Sequence, residues 1–397
     1  MLETGNLTRI LVVDDEPDLE LLIRQRFRKK IKDRVYAFAF AANGKEALEM
    51  IDRDEPVDLI LSDINMPVMD GLTFLANLRQ RARVGLKTII VSAYGDMGNI
   101  RTAMNRGAFD FVTKPIDFDD LEITIEKTIQ QMRAERHAEA EHAELARVNR
   151  DLEVARRIQQ AIIPCDYPPF PDRREFALYA EMRPAFQVGG DFYDYFLVSD
   201  HEVAVAIADV AGKGVPAALV MSATRALLKA EAMRQHVPSA CLAAVNRHLS
   251  AENLASMFVS MFYGILDFRD GIFRYASAGH GMPYILTDVH TRQIPRARGA
   301  VLGVDGFSQY EDSDLVLERG DVLFFSTDGV IEAFSREKEE FGESRLESSL
   351  REAARQDGQR RDVRQLVRHV IGSVRGFADG SPQSDDMTAM ALRYLGG

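Results

Sequence analysis

Short apolar runs rich in β-branched residues alternate with amphipathic segments along residues 8–120. The runs are Ile10–Val13, Val35–Ala41, Val57–Leu61, Thr88–Val91 and Phe109–Val112, and the amphipathic segments begin near Asp18, Gly44, Gly71, Asp96 and Asp117. Near-continuous apolar strands separated by helices are typical of a parallel sheet that is covered on both faces. The pattern therefore predicts a doubly wound α/β domain with a parallel sheet.

Residues 121–163 lose the strand pattern and contain neither Gly nor Pro. The 3-4 spacing of a coiled-coil seam is followed by Leu145, Val148, Leu152, Ala155, Gln159 and Ile162, whereas Ala134–Glu144 offers mainly alanine. We predict a coiled-coil-like helix that forms a dimer and carries a signal. The alternative is a solvated helical spacer.

Prolines end this helix at Pro164 and in Tyr167–Pro171, and the pattern then changes again. Strand-like runs occur at Ala177–Met182, Val203–Ala208, Met257–Asp267, Gly271–Ala278, Val322–Ser326 and Met387–Tyr394. Two or three helices are expected among them, at Pro216–Gln235, Ser239–Ser250 and Arg361–Arg375. Antiparallel strands with flanking helices predict a layered α/β sandwich. The predicted regions are 1–122, 123–163 and 164–397.

The composition limits the class of protein. Hydrophobic residues make up 46% of the 397 residues and charged residues 28%, as in folded globular chains. The net charge of −12 disfavours binding to nucleic acid. Cys165 and Cys241 lack the spacing of a zinc site or a disulfide framework, and no apolar stretch is long enough for a membrane span or a signal peptide. We expect a cytoplasmic protein.

Polar residues stand at the predicted carboxyl ends of the strands in residues 8–120, where ligands bind in doubly wound sheets. They are Asp14 and Asp15, Asp63, Ser92 and Lys114. Three carboxylates gathered there would repel one another, so the set indicates a divalent cation beside the Lys114 ammonium. It also suits phosphoryl transfer to Asp63, with Ser92 as a hydrogen-bond donor. Taken singly, each Asp is more often a helix cap or a turn residue.

Four ordered motifs in this region resemble those of response-regulator receiver domains, over residues 8 to about 122. They are Val12–Glu16, Ser62–Gly71, Val91–Ala93 and Val112–Pro115. The resemblance implies a flavodoxin-like fold, with Asp63 as the phosphoacceptor and with Ser92 and Lys114 as switch residues. It also implies a magnesium ion held by Asp14, Asp15, Asp63 and the main-chain carbonyl of Asn65. Phe111 stands where that family often has a rotating aromatic residue, and core packing is the alternative.

Four turn-like motifs in residues 164–397 each place an Asp beside Gly or another small residue at the end of an apolar strand. They are Val188–Asp194, Ala208–Gly214, Ser326–Gly329 and Ser384–Thr388. Each alone is ordinary turn chemistry, but together they indicate one shared site of oxygen ligands. Asp ligands without Cys or His favour magnesium or manganese over zinc. Two such ions about 3.5 to 4 Å apart can hold a phosphate oxygen and activate a water molecule.

These motifs resemble the SpoIIE-type branch of the PPM protein serine/threonine phosphatases, over about residues 152–394. Ala155–Pro164, Ser277–His280 and Leu302–Val304 contribute to the resemblance. It implies as metal ligands Asp191, Asp209 (bridging), the main-chain carbonyl of Val210, Asp328 and Asp385, with Asp386 as the alternative to Asp385.

The sequence departs from this family at several positions. Gly190 stands where many eukaryotic relatives carry a second acid, and Val210 replaces their glycine. An arginine that would bind phosphate is not obvious just upstream of Asp191. Arg183 is a candidate for that role, or an ordinary exposed arginine, and His280 either lines the site or is a structural turn histidine.

Together the resemblances imply a two-component output protein. A sensor histidine kinase would phosphorylate Asp63, and the phosphatase would act on a phosphoserine or phosphothreonine protein, with an anti-anti-sigma (STAS-domain) factor as the expected substrate. We expect a homodimer through the helix at 123–163, and neither a nucleic acid nor a membrane as partner. The sign of control stays open. The alternatives are a catalytically silent module that sequesters a partner, and a nucleotide cyclase, although Phe192-Tyr193 stands where a diguanylate cyclase motif has Glu-Phe.

Overall fold

The computed structural model describes residues 7–53, 56–81, 85–93, 96–252, 257–356 and 362–396. The first six residues of the predicted region 1–122 and Arg361 of the last predicted helix lie outside the described residues. The chain divides into two compact units, Met1–Arg147 and Val148–Gly397. None of the helices in the described part of the chain is long and apolar enough to cross a bilayer.

The first unit contains one parallel five-stranded sheet. Its strands are β1 (Thr8–Val13), β2 (Tyr36–Ala41), β3 (Leu59–Asp63), β4 (Lys87–Ala93) and β5 (Asp110–Lys114). Its helices are α1 (Pro17–Arg26), α2 (Arg28–Lys32), α3 (Gly44–Asp52), α4 (Gly71–Gln80) and α5 (Met97–Asn105). The strand order β2-β1-β3-β4-β5 and the apolar clusters on both faces confirm the predicted doubly wound, flavodoxin-like fold.

A single helix, α6 (Phe118–Ile162), follows β5. Leu121, Ile125 and Ile129 are buried with Ile10 and Val12, so the first turns of the predicted linker belong to the core of the first unit. Their spacing of four residues places them on one helix face.

The residues of the predicted coiled-coil seam differ in their exposure to solvent. Leu145 and Val148 are exposed, Leu152 and Ala155 are half-buried, and Gln159 is buried. The predicted dimer would bring the first four together with a second copy, whereas Gln159 already has partners within the second unit, which are described below.

The second unit contains two antiparallel five-stranded sheets, ordered β13-β10-β9-β8-β7 and β12-β11-β14-β15-β6. Its strands are β6 (Phe176–Arg183), β7 (Phe192–Leu197), β8 (Glu202–Val210), β9 (Val259–Asp267), β10 (Ile272–Ala278), β11 (Tyr284–Leu286), β12 (Thr291–Gln293), β13 (Ser313–Val316), β14 (Val322–Ser326) and β15 (Met387–Tyr394). Its helices are α7 (Val215–Ala232), α8 (Pro238–Glu252), α9 (Asp328–Ile331), α10 (Gly342–Gln356) and α11 (Val363–Ala378).

The two sheets of the second unit pack face to face. Phe262 and Phe273 of the first sheet lie against Phe325 of the second, with ring centroids 5.6 Å and 6.4 Å apart. Helices α7 and α8 cover the outer face of the first sheet, and α10 and α11 cover that of the second. The predicted layered α/β sandwich is therefore confirmed.

The described part of this unit contains five helices, more than the two or three that the sequence predicts. Helix α10 is mostly polar, and the buried Leu346 and Leu350 supply its apolar face. One pair of leucines at a spacing of four is a weak pattern in a sequence this polar, so the helix did not stand out.

Candidate active sites

The first candidate site lies at the carboxyl ends of β1 and β3. These strands are parallel neighbours, so Asp14, which follows β1, and Asp63, which ends β3, reach the same edge of the sheet. Asp14, Glu16 and Asp63 each offer one carboxylate oxygen, and these oxygens lie within 4.8 Å of one another. Such a group of oxygen donors fits a magnesium ion.

Lys114, at the end of β5, neutralises this acidic group. Its Nζ lies 2.7 Å from Asp63 Oδ2, 2.9 Å from Glu16 Oε1 and 3.1 Å from Asp14 Oδ2. Burial opposes the charged ammonium, but the hydrogen bonds to the three carboxylates outweigh it and raise the pKa of Lys114. Burial also raises the pKa of Asp14. Lys114 is therefore a fixed positive charge beside the Asp63 carboxylate.

The other residues predicted for this site have different surroundings. Asp15 is exposed and lies outside the acidic group, where Glu16 is found instead. The main-chain N–H of Asn65 donates to Asp63 Oδ1 at 3.3 Å. Ser92, in β4, is buried, and its hydroxyl has no hydrogen-bond partner among the residues that the structure describes. Phe111 is 37% exposed, so core packing does not account for it. Glu16 belongs to the same acidic run in the sequence, but no feature of that run indicates that Glu16 rather than Asp15 joins the acidic group.

The second candidate site lies where two pairs of antiparallel strands meet. Asp209 stands near the end of β8 and Asp191 just before the paired strand β7. In the other sheet, Asp328 follows β14 and Asp385 precedes the paired strand β15. Antiparallel pairing places the end of one strand beside the start of its neighbour, which brings these four motifs to one edge of the sandwich.

Asp191 is the most deeply buried of these carboxylates. Its Oδ2 accepts hydrogen bonds from Thr327 Oγ1 at 2.6 Å and from Thr388 Oγ1 at 2.7 Å. The two threonines belong to the motifs that carry Asp328 and Asp385, so they tie Asp191 to the other sheet. Both threonines lie within the acidic motifs, but the sequence alone does not indicate a role for them.

The carboxylates of this site destabilise one another. Burial, followed by repulsion from Asp328, raises the pKa of Asp209 to about 6. Burial and then the charge of Asp385 raise the pKa of Asp328, and burial and then Asp209 raise that of Asp191. A set of mutually repelling carboxylates without Cys or His fits hard divalent cations such as Mg²⁺ or Mn²⁺.

Close packing explains one departure from the expected pattern. A Cβ atom at Gly190 would lie 2.9 Å from the carbonyl oxygen of Val210. An acidic side chain at this position would therefore displace the very carbonyl that is predicted as a metal ligand.

We expect the stabilising effect of Mn²⁺ on the protein to increase with pH. Because the pKa of Asp209 is raised to about 6 in the folded, metal-free protein, and is about 4 in an unfolded chain, its contribution to stability is full below about pH 4 and is lost as the pH rises through 6. Mn²⁺ competes with that proton and offsets the repulsion. The Mn²⁺-induced rise in melting temperature, measured by circular dichroism, should be larger at about pH 7 than at about pH 5. An equal rise at both pH values would contradict the assignment.

Asp386 anchors the loop before Asp191. Its Oδ1 accepts from the N–H of Ala185 at 2.8 Å, and its Oδ2 accepts from the N–H groups of Gly190 at 2.8 Å and Asp191 at 3.3 Å. Both oxygens are thus occupied by main-chain donors. The sequence predicts Asp386 as the alternative to Asp385 among the metal ligands, and these contacts also give it the role of positioning the main chain at Asp191.

Asp386→Ala should lower the melting temperature of the metal-free protein by about 6 °C or more. The change leaves three N–H groups without their acceptor, each costing about 1 to 3 kcal/mol, and about 1 kcal/mol shifts the melting temperature by 2 to 4 °C in a domain of this size. Asp385→Ala is the matched control, since Asp385 accepts only from the N–H of Asp386 and pairs with Lys213. Equal destabilisation by both changes would refute the anchoring role.

Gln159, near the end of α6, holds the same loop from the other side. Its Nε2 donates to the carbonyl oxygen of Gly189 at 2.7 Å, and its Oε1 accepts from the N–H of Gly189 at 3.1 Å. Gly189 itself has no space for a side chain, because a Cβ would lie 2.0 Å from Asp386 Oδ2. The loop that carries Asp191 is therefore fixed between α6 and Asp386.

Arg183 and His280, whose roles the sequence leaves open, differ in their contacts. Arg183 pairs with Glu181 at 2.7 Å and is not among the residues that pair with the four carboxylates. His280 is buried, its Nδ1 lies 2.9 Å from Ser260 Oγ, and burial lowers its pKa to about 4. It lines a cavity of about 360 Å³ together with Asp209 and Asp328. His280 is thus a neutral side chain beside the acidic site.

Comparisons with known proteins find two families along the chain. The family described as "Response regulator receiver domain" matches residues 10–126. The family described as "Stage II sporulation protein E (SpoIIE)" matches residues 199–395. Each match contains one of the two candidate sites, apart from Asp191, which precedes the second match.

Individual proteins match over parts of the chain. Protein IcfG of Synechocystis is 31% identical over 62% of this chain and 42% of that protein. Phosphoserine phosphatase RsbU of Bacillus subtilis is 35% identical over 47% of this chain and 54% of that protein. The chain thus spans about half the length of these curated relatives. The SiaA-PP2C domain of Pseudomonas aeruginosa shares the fold, with a TM-score of 0.55 and 22% identity over 64% of this chain and 99% of that chain.

Proposed function

Because the chain belongs to the response regulators that join a receiver domain to a SpoIIE-type PPM phosphatase domain, we propose that it is a metal-dependent protein serine/threonine phosphatase controlled by phosphorylation of Asp63. The observation that carries the proposal is the convergence of Asp191, Asp209, Asp328 and Asp385 with carboxylates that repel one another. Each of the four expected acidic ligands is present, which argues against the catalytically silent alternative.

The residues of the phosphatase site fall into predicted metal ligands and residues that hold one of those ligands in place. Asp191, Asp209, the Val210 carbonyl, Asp328 and Asp385 would hold two Mg²⁺ or Mn²⁺ ions, which when bound activate water and polarise the phosphate group. Thr327 and Thr388 hold Asp191 Oδ2.

The receiver residues support attack by the Asp63 carboxylate on a phosphoryl group. Lys114, which pairs with Asp63, would neutralise charge on the oxygens of the incoming phosphoryl group, and the buried Ser92 hydroxyl can donate to the same oxygens. Asp14, Asp15 and the Asn65 carbonyl are the predicted magnesium ligands with Asp63, and Glu16 is an added candidate. The ion neutralises phosphate charge when bound.

Helix α6 is the proposed route of control. Its first turns lie in the receiver core through Ile125 and Ile129, and its Gln159 holds the main chain of Gly189 beside Asp191. Phosphorylation that moves α6 would therefore act on the loop carrying a metal ligand. A sensor histidine kinase is the proposed phosphodonor, an anti-anti-sigma (STAS-domain) protein the proposed substrate, and a homodimer through α6 the proposed assembly.

The test measures phosphate release from a phosphoserine peptide and from a phosphorylated STAS-domain protein by the full chain. We expect release that requires Mn²⁺, stops with EDTA and changes when beryllofluoride occupies Asp63. Mn²⁺-dependent release that ignores beryllofluoride would contradict control by the receiver. Binding of the STAS-domain protein without any release would support the sequestering alternative instead.

A further inference from the structure

Lys213 is the cation of the acidic phosphatase site. Its Nζ lies 2.9 Å from Asp385 Oδ2 and also contacts the main-chain carbonyl of Ser384. Among the described residues, it is the cation that forms an ion pair with one of the four predicted acidic metal ligands, Asp385. Lys213 lies within the Ala208–Gly214 motif, but the sequence alone does not indicate a role for it.

The loop that carries Lys213 has a defined main chain. Gly212 and Gly214 adopt φ values of +100° and +73°, which L-residues with side chains rarely adopt. The loop joins β8, which carries Asp209, to α7, and its backbone thus places Lys213 beside the site. The lysine side chain itself is 44% exposed, so its ammonium can reach groups that enter from solvent.

A phosphate group that enters this site meets a strongly negative surface. A phosphomonoester carries nearly two negative charges at neutral pH, and repulsion from the surrounding carboxylates disfavours its approach. A lysine next to the site reduces this repulsion and can donate to phosphate oxygens. The other candidate, Arg183, is paired with Glu181 and lines a different cavity.

The surroundings of Lys213 are open to a substrate. Lys213 lines a groove of about 1000 Å³ that is bounded by Phe186, Val188 and Val215 and by Arg156 of α6. Phe186 and Val215 are largely exposed, at 57% and 41%. A phosphorylated polypeptide can therefore reach the ammonium from solvent.

We propose that Lys213 exchanges its contact with Asp385 for the phosphate group and binds that group in both substrate and product. The proposal rests on the proposed phosphatase function and deepens it by assigning the phosphate-binding cation. It predicts that Lys213 determines affinity for phosphate, while the carboxylates determine affinity for metal.

The test compares the full chain with Lys213→Ala, Lys213→Arg and the control Lys229→Ala, an exposed lysine of α7 that lies over Phe196. Hydrolysis of p-nitrophenyl phosphate with Mn²⁺ gives KM and kcat, inorganic phosphate gives an inhibition constant, and calorimetry gives the Mn²⁺ dissociation constant. Lys213→Ala should raise KM and the inhibition constant about tenfold or more, the range expected for a lost charge-assisted hydrogen bond. Lys213→Arg should recover most of the loss, and Mn²⁺ should bind Lys213→Ala at least as tightly as wild type.

The outcomes separate this proposal from the proposed function. Unchanged KM and phosphate inhibition in Lys213→Ala, with only Mn²⁺ affinity altered, would make Lys213 a counter-ion for Asp385 and overturn the proposal. A wild type that binds Mn²⁺ but hydrolyses nothing would contradict the phosphatase function. Lys213 is then tested by calorimetry of the Mn²⁺-loaded proteins with inorganic phosphate, where weaker binding by Lys213→Ala supports the proposal and equal binding overturns it.

Discussion

Replacement of Asp209 by asparagine should lower kcat/KM for Mn²⁺-dependent phosphate release by about 10³-fold or more. Asp209 is the predicted bridging ligand, and Asn offers a neutral oxygen where a carboxylate would hold two cations. Metal-ion activation contributes several kcal/mol to such reactions, and about 4 kcal/mol corresponds to about 10³ in rate. The measurement is phosphate release at saturating Mn²⁺, together with the Mn²⁺ affinity of the variant.

The same substitution should not unfold the protein. Burial, followed by repulsion from Asp328, raises the pKa of Asp209, so removing its charge should increase the melting temperature of the metal-free chain near neutral pH. Asp172→Asn, at an exposed position, is the control and should match wild type in both measurements. Activity within about tenfold of wild type in Asp209→Asn would remove this residue from the metal site.

Asp63→Asn should abolish incorporation of phosphate from acetyl phosphate. An amide cannot act as the nucleophile that a carboxylate provides, and the ion pair with Lys114 is lost with the charge. We expect labelling to fall by at least about a hundredfold, with Asp33→Asn, an exposed residue after α2, labelled like wild type. Radiolabel or intact-mass measurement of the full chain gives the result directly.

Two readouts decide the role of Asp63. Beryllofluoride should change phosphatase activity in wild type and leave Asp63→Asn unaffected, while the basal Mn²⁺-dependent activity is retained. Labelling of Asp63→Asn at the wild-type level would remove the receiver assignment. Loss of labelling with an unchanged beryllofluoride response would place the regulatory phosphoryl group elsewhere in the chain.

The sheet of the first unit and six of the ten described strands of the second were predictable because these strands carry strong local patterns, whereas β7, β11, β12 and β13 lie outside the predicted runs. All five strands of the first unit overlap their predicted runs, since a parallel sheet covered on both faces needs continuous apolar segments. The short strands β11 and β12 have three residues each, which is too few for a recognisable alternation. Helix α10 was not predicted because its packing against α11 buries only a narrow face of a polar sequence.

The candidate sites were predictable in their acidic residues but not in the groups that hold them. Carboxylates at strand ends are visible in a sequence because Asp is rare among buried strands. The contacts of Thr327 and Thr388 with Asp191, and of Asp386 with the Gly190 N–H, join residues more than a hundred positions apart. Such pairings depend on how two sheets face each other, which a single sequence does not record.

The two hydrogen bonds between Gln159 and Gly189 set a length scale for the proposed control of the phosphatase by α6. N–H···O bonds persist over about 2.7 to 3.2 Å, so a displacement of the helix end by about 1 Å would break both at once. This displacement is smaller than the rise per residue of an α-helix, about 1.5 Å. Because both bonds join the same two residues, they would be lost together, and the loop carrying Asp191 would respond in an all-or-none manner to a displacement of subresidue size.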